Sequence, residues 1–495
     1  MPPAKGGGME IKMKDLVYKF FHKYKSISVQ AKAALWFTLC NIVQKGISTV
    51  TVPIFTRIMS TEQYGVYTIY LSWQSVLLIF TSLNLYYGVF NNAMIRFKDD
   101  RSRYISSMQG LTLTITSFFF IIYLGFRNQI NEWVGMNTLL MILLFVQLFS
   151  MPPLLFWSAR QRFEFRYKLL VGVTLLKAIL NPLLGVLAVL LSDNKDIARI
   201  FTIVFVELCI GIVIATSQFM KGKSFYNKSY WKYAFFFNFP LLPHYLSGTI
   251  LNQADRIMIG KMIGNSQAAL YAVAYNIGML MLLFTDAINN SFTPWMYQKM
   301  KDKNFVEIKK LGNSLVSIIA TLVVLMLFFA PEVLTIFASK EYADALYVIP
   351  PVVVTTFFVF VYVMYANIEF YYEENKMIMV ASILAALLNL LLNYLFIPIY
   401  GYYAAAYTTL ICYIIYTFSH YIFSSIVLKK HEGLNSIFDH RFIFFLSVLL
   451  LVIMVVFNYL YANRWLRYGL LVSLLMGIII NRNKVIMIIK SIREK

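Results

Sequence analysis

Residues 252–264 read NQADRIMIGKMIG. Asp255 and Arg256 stand side by side in a stretch otherwise suited to a membrane interior. A charge at mid-bilayer costs roughly 2.5–3.5 kcal/mol even on a lenient scale, so the pair demands a reason. The stretch also has an echo upstream. At a gapless shift of 204 residues, Arg57-Ile58-Met59 falls on Lys261-Met262-Ile263, Gln63 on Gln267 and Tyr67 on Tyr271. Leu78, Phe80 and Thr81 fall on Leu282, Phe284 and Thr285. Farther on, Met151-Pro152-Pro153 resembles Ile349-Pro350-Pro351, and Lys168 to Asn181 resembles Lys376 to Asn389 at a shift of 208. Half of the chain is a diverged copy of the other half.

The chain around this repeat is too apolar for a water-soluble core. Of its 495 residues, 59% are apolar and only 14% charged, against about 25% charged in soluble domains. Mean hydropathy is +0.66. A helix needs roughly 20 apolar residues to cross the hydrocarbon core. Fourteen segments qualify: 33–55, 65–88, 105–125, 137–158, 168–191, 198–219, 234–260, 268–293, 311–330, 345–369, 376–398, 402–424, 440–460 and 464–481. The connections are short, so no extramembrane domain is expected.

Lys and Arg fix the orientation. With the N-terminus inside, 33 of the 44 lie in cytoplasmic segments and 8 in outer ones, while Lys45, Lys177 and Arg256 sit within spans. Both termini are therefore expected in the cytoplasm. The net charge of +21 is then loop charge facing anionic membrane lipids, and no nucleic-acid partner is implied. The start, MPPAKGGG, has no apolar core and no cleavage site, so no removable signal peptide is expected.

Spans 1–6 repeat as spans 7–12. Six is even, so both copies enter from the same side and form a parallel repeat about an axis along the membrane normal. The expected fold is an all-α integral membrane protein of about 14 transmembrane helices. A basic cytoplasmic segment (1–32) precedes two six-helix bundles (33–223 and 224–427) around a central cleft. Two further helices and a cytoplasmic tail follow (428–495).

Few charges lie inside the spans. The first span carries Thr38, Asn41, Lys45 and Ser48-Thr49 on one polar stripe. The seventh carries His244, Gly248, Asn252 and Arg256 at steps of four, with Asp255 adjoining. These spans are repeat equivalents, so Asn41, Lys45, Asn252, Asp255 and Arg256 are candidates for a transport cavity. The alternative for the Asp255-Arg256 pair is helix-end structure, with Arg256 snorkelling and Asp255 bonding a neighbouring helix. Lys177 and Glu207, on consecutive spans, are candidates for an ion pair or gate. Asp286 and Glu369, near inner helix ends, are candidates for an inner gate or plain interface charges. Pro240 and Pro243 predict a bend in the seventh span.

Enzymatic signatures are missing. Gly222-Lys223-Ser224 resembles the tail of a P-loop, but Ser217 replaces the required glycine. Cys40, Cys209 and Cys412 are isolated in apolar runs, which offers neither a metal site nor an obvious disulfide. No catalytic residue, metal or cofactor is expected, and short outer loops argue against a membrane enzyme such as a glycan polymerase.

Four stretches carry a family resemblance: PIFTRIMSTEQYGVYTIY (53–70), ADRIMIGKMIGNSQAALYAVAY (254–275), FASKEYADALYVIPPVV (337–353) and NYLFIPIYGYYAAAYTTLICY (393–413). Together they resemble the Wzx-like oligosaccharide flippases of polysaccharide biosynthesis. That group belongs to the multidrug/oligosaccharidyl-lipid/polysaccharide exporter superfamily. Gly401-Tyr402-Tyr403-Ala404 departs from the family pattern, and many relatives stop at twelve helices. The resemblance implies a polyprenyl-diphosphate-linked oligosaccharide substrate and transport across the bacterial inner membrane by alternating access. It also implies a monomer working beside a polysaccharide polymerase and glycosyltransferases. Lys45 and Arg256 would meet the diphosphate. The competing reading is a cation-coupled small-molecule exporter of the multidrug type.

Overall fold

The computed structural model of the chain describes residues 27–480. The expected basic N-terminal segment up to residue 26 and the tail beyond 480 lie outside the described residues. The chain is helical throughout, with no β-strand among the described residues. It opens with α1 (Val29–Ile58), α2 (Thr61–Ser82) and the short α3 (Gly88–Arg96). Next come α4 (Arg101–Gly125), α5 (Arg127–Val134), α6 (Thr138–Phe163), α7 (Tyr167–Leu190) and α8 (Lys195–Gly222). After α9 (Lys228–Asn238), a 3-10 turn at Phe239–Leu241 leads into α10 (Leu242–Met262). Then follow α11 (Asn265–Gly278), α12 (Met281–Lys301), α13 (Phe305–Phe337) and a 3-10 segment at Lys340–Val348. The series ends with α14 (Ile349–Tyr371), α15 (Asn375–Tyr400), α16 (Tyr403–Glu432), α17 (His440–Leu460) and α18 (Arg464–Ile480).

The repeat is written into the helix ends. Ile58 ends α1 and Met262 ends α10, Thr61 starts α2 and Asn265 starts α11, and Arg101 starts α4 and Phe305 starts α13. Each pair is separated by the 204 residues of the sequence echo. Tyr167 and Asn375 start α7 and α15, and Lys195 and Tyr403 start α8 and α16, now at 208. The change falls where α5 in one half is replaced by the 3-10 segment Lys340–Val348 in the other.

Among the described residues, ten helical segments are long and apolar enough to cross a membrane by length and composition. The other four expected spans correspond to α1, α2, α10 and α18. The first three have 30, 22 and 21 residues, so polarity and not length sets them apart. The last has 17 described residues. The seventh expected span is broken at Phe239–Leu241, where Pro240 opens a 3-10 turn and Pro243 starts α10. The eighth is interrupted between Gly278 and Met281.

Two compact units emerge from the contacts. Among the described residues, one joins 27–51 with Leu77–Leu242, and the other joins Val52–Val76 with 243–480. In the first unit the α2–α3 turn passes through left-handed Leu83 (φ 48°) and Asn84 (φ 52°), which strands backbone groups. Asn238 satisfies two of them: its amide donates to the Leu83 carbonyl (2.8 Å) and its oxygen accepts from Val89 N–H (3.1 Å). Around this joint pack the buried Leu85, Phe90, Met94, Tyr104 and Phe156.

In the second unit the N-termini of α2 and α11 meet. Thr61 Oγ1 donates to Ser266 Oγ (3.2 Å), while Asn265 Nδ2 (2.5 Å) and Ser266 Oγ (3.0 Å) donate to the Glu62 carboxylate. Thr61 and Asn265 are repeat equivalents, as are Glu62 and Ser266, so the contact is self-complementary. Ser60 and Gln63 close a capping box at the start of α2. Gly65 makes the approach feasible, because a Cβ there would overlap the Asn265 carbonyl. Gly65→Val is therefore expected to force α2 from α11 and cost ~1–3 kcal/mol, read as a lowered midpoint of thermal unfolding in detergent. Glu62→Gln, at an exposed rim, should change it by less than ~1 kcal/mol.

Candidate functional site

Asp255 lies in the second unit with a 1% exposed side chain. It accepts hydrogen bonds from the Tyr271 hydroxyl on α11, from Asn393 Nδ2 on α15 (2.6 Å) and from Thr409 Oγ1 on α16 (2.9 Å). A second layer supports these donors. Thr408 donates to Asn393, Asn393 Nδ2 also reaches Asn389 Oδ1 (3.3 Å), and Asn389 Nδ2 donates to Thr409 (3.0 Å). Three helices thus converge on one carboxylate of α10. All three donors are neutral and give their hydrogens to the carboxylate, so together they stabilise its single negative charge.

Arg256 faces elsewhere. Its guanidinium donates to Gln253 Oε1 (2.8 Å) and lies over the Tyr275 ring, 4.6 Å from the centroid. Such stacking attracts the cation to the π face. Tyr275 also donates to Asn252 Oδ1 (2.9 Å). Asn252 and Tyr275 then open onto a cavity of about 220 Å³, whose polar wall also includes Asp286, Asn289, Tyr362 and Thr409. The cavity therefore shares Thr409 with the Asp255 network. Met279, from the break between α11 and α12, and Leu282, in the first turn of α12, also line it.

The structure gathers Asn252, Asp255, Arg256 and Asp286 around this one region. Glu369 is buried nearby on α14, paired with His420 on α16. Lys177 and Glu207 pair at 2.5 Å in the first unit, where Gln147 Nε2 also donates to Glu207 (2.7 Å). Asn41 and Lys45 sit on the part of α1 that belongs to the first unit, and both are exposed. Gly222-Lys223-Ser224 is a helix end: Lys223 is left-handed (φ 49°), and Ser106 Oγ donates to the Ser224 carbonyl at 2.7 Å. The three cysteines are free thiols.

Sequence reasoning passed over Tyr271, Asn389, Asn393, Thr408, Thr409 and His420. One signal was there to read. Asn389 and Asn393, four apart in an otherwise apolar span, share a helix face, and two amides there imply a polar partner.

A repeat of broken and continuous membrane helices with a polar, partly enclosed cavity in one half defines a polytopic transporter. The model of the polysaccharide biosynthesis protein family matches residues 31–300, and that of the MatE family matches residues 240–395. The chain belongs to the polysaccharide biosynthesis protein family, within the exporter superfamily that also holds the MATE transporters. It is 23% identical over 373 residues to Lsg locus putative protein 1 of Haemophilus influenzae, covering 72% of this chain and 88% of that protein. Its fold is similar to lipid II flippase MurJ in an inward closed conformation, with TM-score 0.63 and 15% identity over 91% of this chain and all of the other. It is also similar to an inward-facing multidrug resistance MATE transporter, with TM-score 0.59 and 13% identity over 78% and 96% of the two chains.

Removing the Asp255 carboxylate strands the Tyr271, Asn393 and Thr409 donors. Asp255→Ala is expected to cost roughly 1–3 kcal/mol for each donor left unpaired. Asp255→Asn, which keeps an acceptor, should cost less. Thermal unfolding of the two purified variants checks the order.

Proposed function

We propose that the protein is a flippase that carries a polyprenyl-diphosphate-linked oligosaccharide across the bacterial inner membrane, by alternating access, for surface polysaccharide biosynthesis. The carrying observation is the cavity of the second unit. Its wall of Asn252, Asp286, Asn289, Tyr275 and Tyr362 combines hydroxyl, amide and carboxylate groups that hydrogen-bond sugar hydroxyls with ring faces that stack on sugars. Family membership supports the same substrate class. Lys45 and Arg256 supply cations for the diphosphate, and the polyprenyl tail stays in lipid. Turnover draws on an ion gradient or on consumption of the product, since the sequence offers no nucleotide motif. Both termini face the cytoplasm, as the Lys and Arg distribution requires, and the monomer delivers substrate to a polysaccharide polymerase after glycosyltransferases have built it.

One observation favours the second reading, a cation-coupled small-molecule exporter. The buried Asp255 with its oxygen-rich surroundings is a place for a coupling ion. A lipid-linked substrate does not conflict with such coupling, so the network fits both readings and the cavity wall favours the first.

Export of surface glycan in cells lacking the protein tests the assignment. Wild type should restore it. Lys45→Ala and Arg256→Ala at matched abundance should each reduce it by ~10-fold or more, a hydrogen bond to a charged group being worth ~1.5–3 kcal/mol, and Lys45→Arg should retain most of it. Dye efflux by wild type without glycan export would favour the second reading.

A further inference from the structure

In the first unit the turn between α8 and α9 is tied down onto α4. Ser106 Oγ on α4 donates to the Ser224 carbonyl (2.7 Å) and accepts from the Ser224 N–H (3.2 Å). Trp231 Nε1 on α9 donates to the Ser107 carbonyl (2.9 Å). Between these bonds the Phe225 backbone rests on Gly110, where a Cβ would stand 1.9 Å from the Phe225 carbonyl oxygen. The Phe225 ring stacks on Phe219 of α8 (centroids 6.2 Å, 14° between planes). The turn is thereby held in place on the helix.

Beyond Phe225 a groove of about 550 Å³ runs along α4, walled by Leu113, Thr114, Ser117, Phe118, Ile121 and Phe225. Phe118, Ile121 and Phe225 are 60%, 67% and 52% exposed, an apolar surface that calls for an apolar occupant. Thr114 Oγ1 donates to the Gly110 carbonyl (2.8 Å), so its hydroxyl needs nothing from that occupant. From Gly110 to Ile121 the helix rises about 16 Å, half of a hydrocarbon core of roughly 30 Å. The depth therefore matches the acyl chain of one leaflet.

The end of the groove at Phe225 is basic. Lys221, Lys223 and Lys228 are exposed there, and no Asp or Glu occurs between Glu207 and Asp255. Lys223 and Lys228 stand two and three residues from Phe225, so their Cα atoms lie within about 7 and 11 Å of its own. Asp99 and Asp100 precede α4, but Arg101 and Arg103 follow them, and Asp100 accepts from the Tyr230 hydroxyl (3.1 Å). Tyr226 meets Trp231 edge-on (4.8 Å, 84°), and such amphipathic rings settle at headgroup level. An apolar groove one leaflet deep with lysines at its mouth selects a molecule with an acyl chain and a negative head.

We propose that this groove binds an anionic phospholipid from the Lys- and Arg-rich side of the membrane. One acyl chain lies along α4 from Phe225 to Ile121, and the headgroup phosphate meets Lys221, Lys223 and Lys228. The phospholipid is a bound partner and is not transported, so the site stands apart from the identity of the glycan.

The experiment is native mass spectrometry of the purified full chain in detergent, titrated with phosphatidylglycerol or with phosphatidylcholine of the same acyl chains. Wild type should retain phosphatidylglycerol in preference to phosphatidylcholine. The triple variant Lys221→Gln, Lys223→Gln, Lys228→Gln should weaken phosphatidylglycerol retention by ~10-fold or more and leave phosphatidylcholine unchanged. Ser117→Trp fills the groove and should abolish retention of the first lipid with all lysines in place. Thr114→Phe does the same and covers the case in which Ser117→Trp misfolds. Ile179→Trp, at a 53% exposed position on α7, should bind as wild type does. The proposal is overturned by equal retention of the two lipids in wild type, or by groove-filled variants that keep phosphatidylglycerol. It is also overturned if Ile179→Trp loses the lipid equally. Displacement of phosphatidylglycerol by an equimolar polyprenyl phosphate would assign the groove to the tail of a polyprenyl lipid and overturn it as well.

Discussion

The folded chain turns on the burial of one carboxylate. Asp255 is buried among helices, where its charge depends on protein donors. Its partners are drawn from α11, α15 and α16, elements that begin 10 to 148 residues later in the chain. The polar residues of three helices are thereby committed to fixed places. Tyr271 must point inward, Asn393 must face α10, and Thr409 must lie where it can also border the cavity. The charge pair that opens the sequence problem is thus divided. Asp255 fastens helices, and its neighbour Arg256 turns to Gln253 and the Tyr275 ring beside the cavity.

The two halves of the repeat share helix register but not chemistry. At the position of Asp255 the first half has Thr51, and at those of Asn393 and Thr409 it has Gly185 and Phe201. Tyr67 and Asn181 match their counterparts, Tyr271 and Asn389, and Asn181 serves a different purpose by accepting from Arg199 (2.9 Å). The buried charges of the first unit include Glu207, paired with Lys177 and bonded by the Gln147 amide, and Arg199. Opposite charges in direct contact offset much of each other's desolvation cost. The Asp255 carboxylate is instead held by neutral donors. The two halves are similar scaffolds, and this donor network is found in the second.

Much of this architecture was legible in the sequence, for reasons that also explain what was not. Hydrophobic length located α17 to the residue, because Asp439 caps its start by accepting from Phe442 N–H and its flanks are polar. The gapless echo around Arg57 and Lys261 located helix ends, because the turn between α1 and α2 and that between α10 and α11 have the same length. Pro240 and Pro243 announced the break before α10. The interruption after Gly278 has no proline, and an apolar run gives no warning of it. The Asp255 cage was opaque for a different reason. Its members lie on four helices, and sequence periodicity reports which face a residue occupies but not which distant face it meets. Asn41 and Lys45 show the same limit: a polar stripe marks a helix as exposed to something other than lipid without saying what.

The broken helices explain why the cavity belongs to the second half. An interrupted helix leaves backbone N–H and C=O groups without their usual partners, and a membrane tolerates this only where protein or a water-filled space can meet them. In the first half α1 and α2 run unbroken across the positions equivalent to these interruptions. In the second half the counterparts are split, at Phe239–Leu241 and again after Gly278. The second split is where Met279 and Leu282 enter the cavity wall. Local repair is visible there, with Met279 N–H donating to the Tyr275 carbonyl (2.8 Å) and Leu280 N–H to that of Ile277 (3.2 Å). The second of these is a 3-10-type bond, which tightens the helix end beside Tyr275. The space lined by Asn252, Tyr275 and Asp286 therefore lies beside a backbone discontinuity present in one copy of the repeat, and the Asp255 network borders it through Thr409.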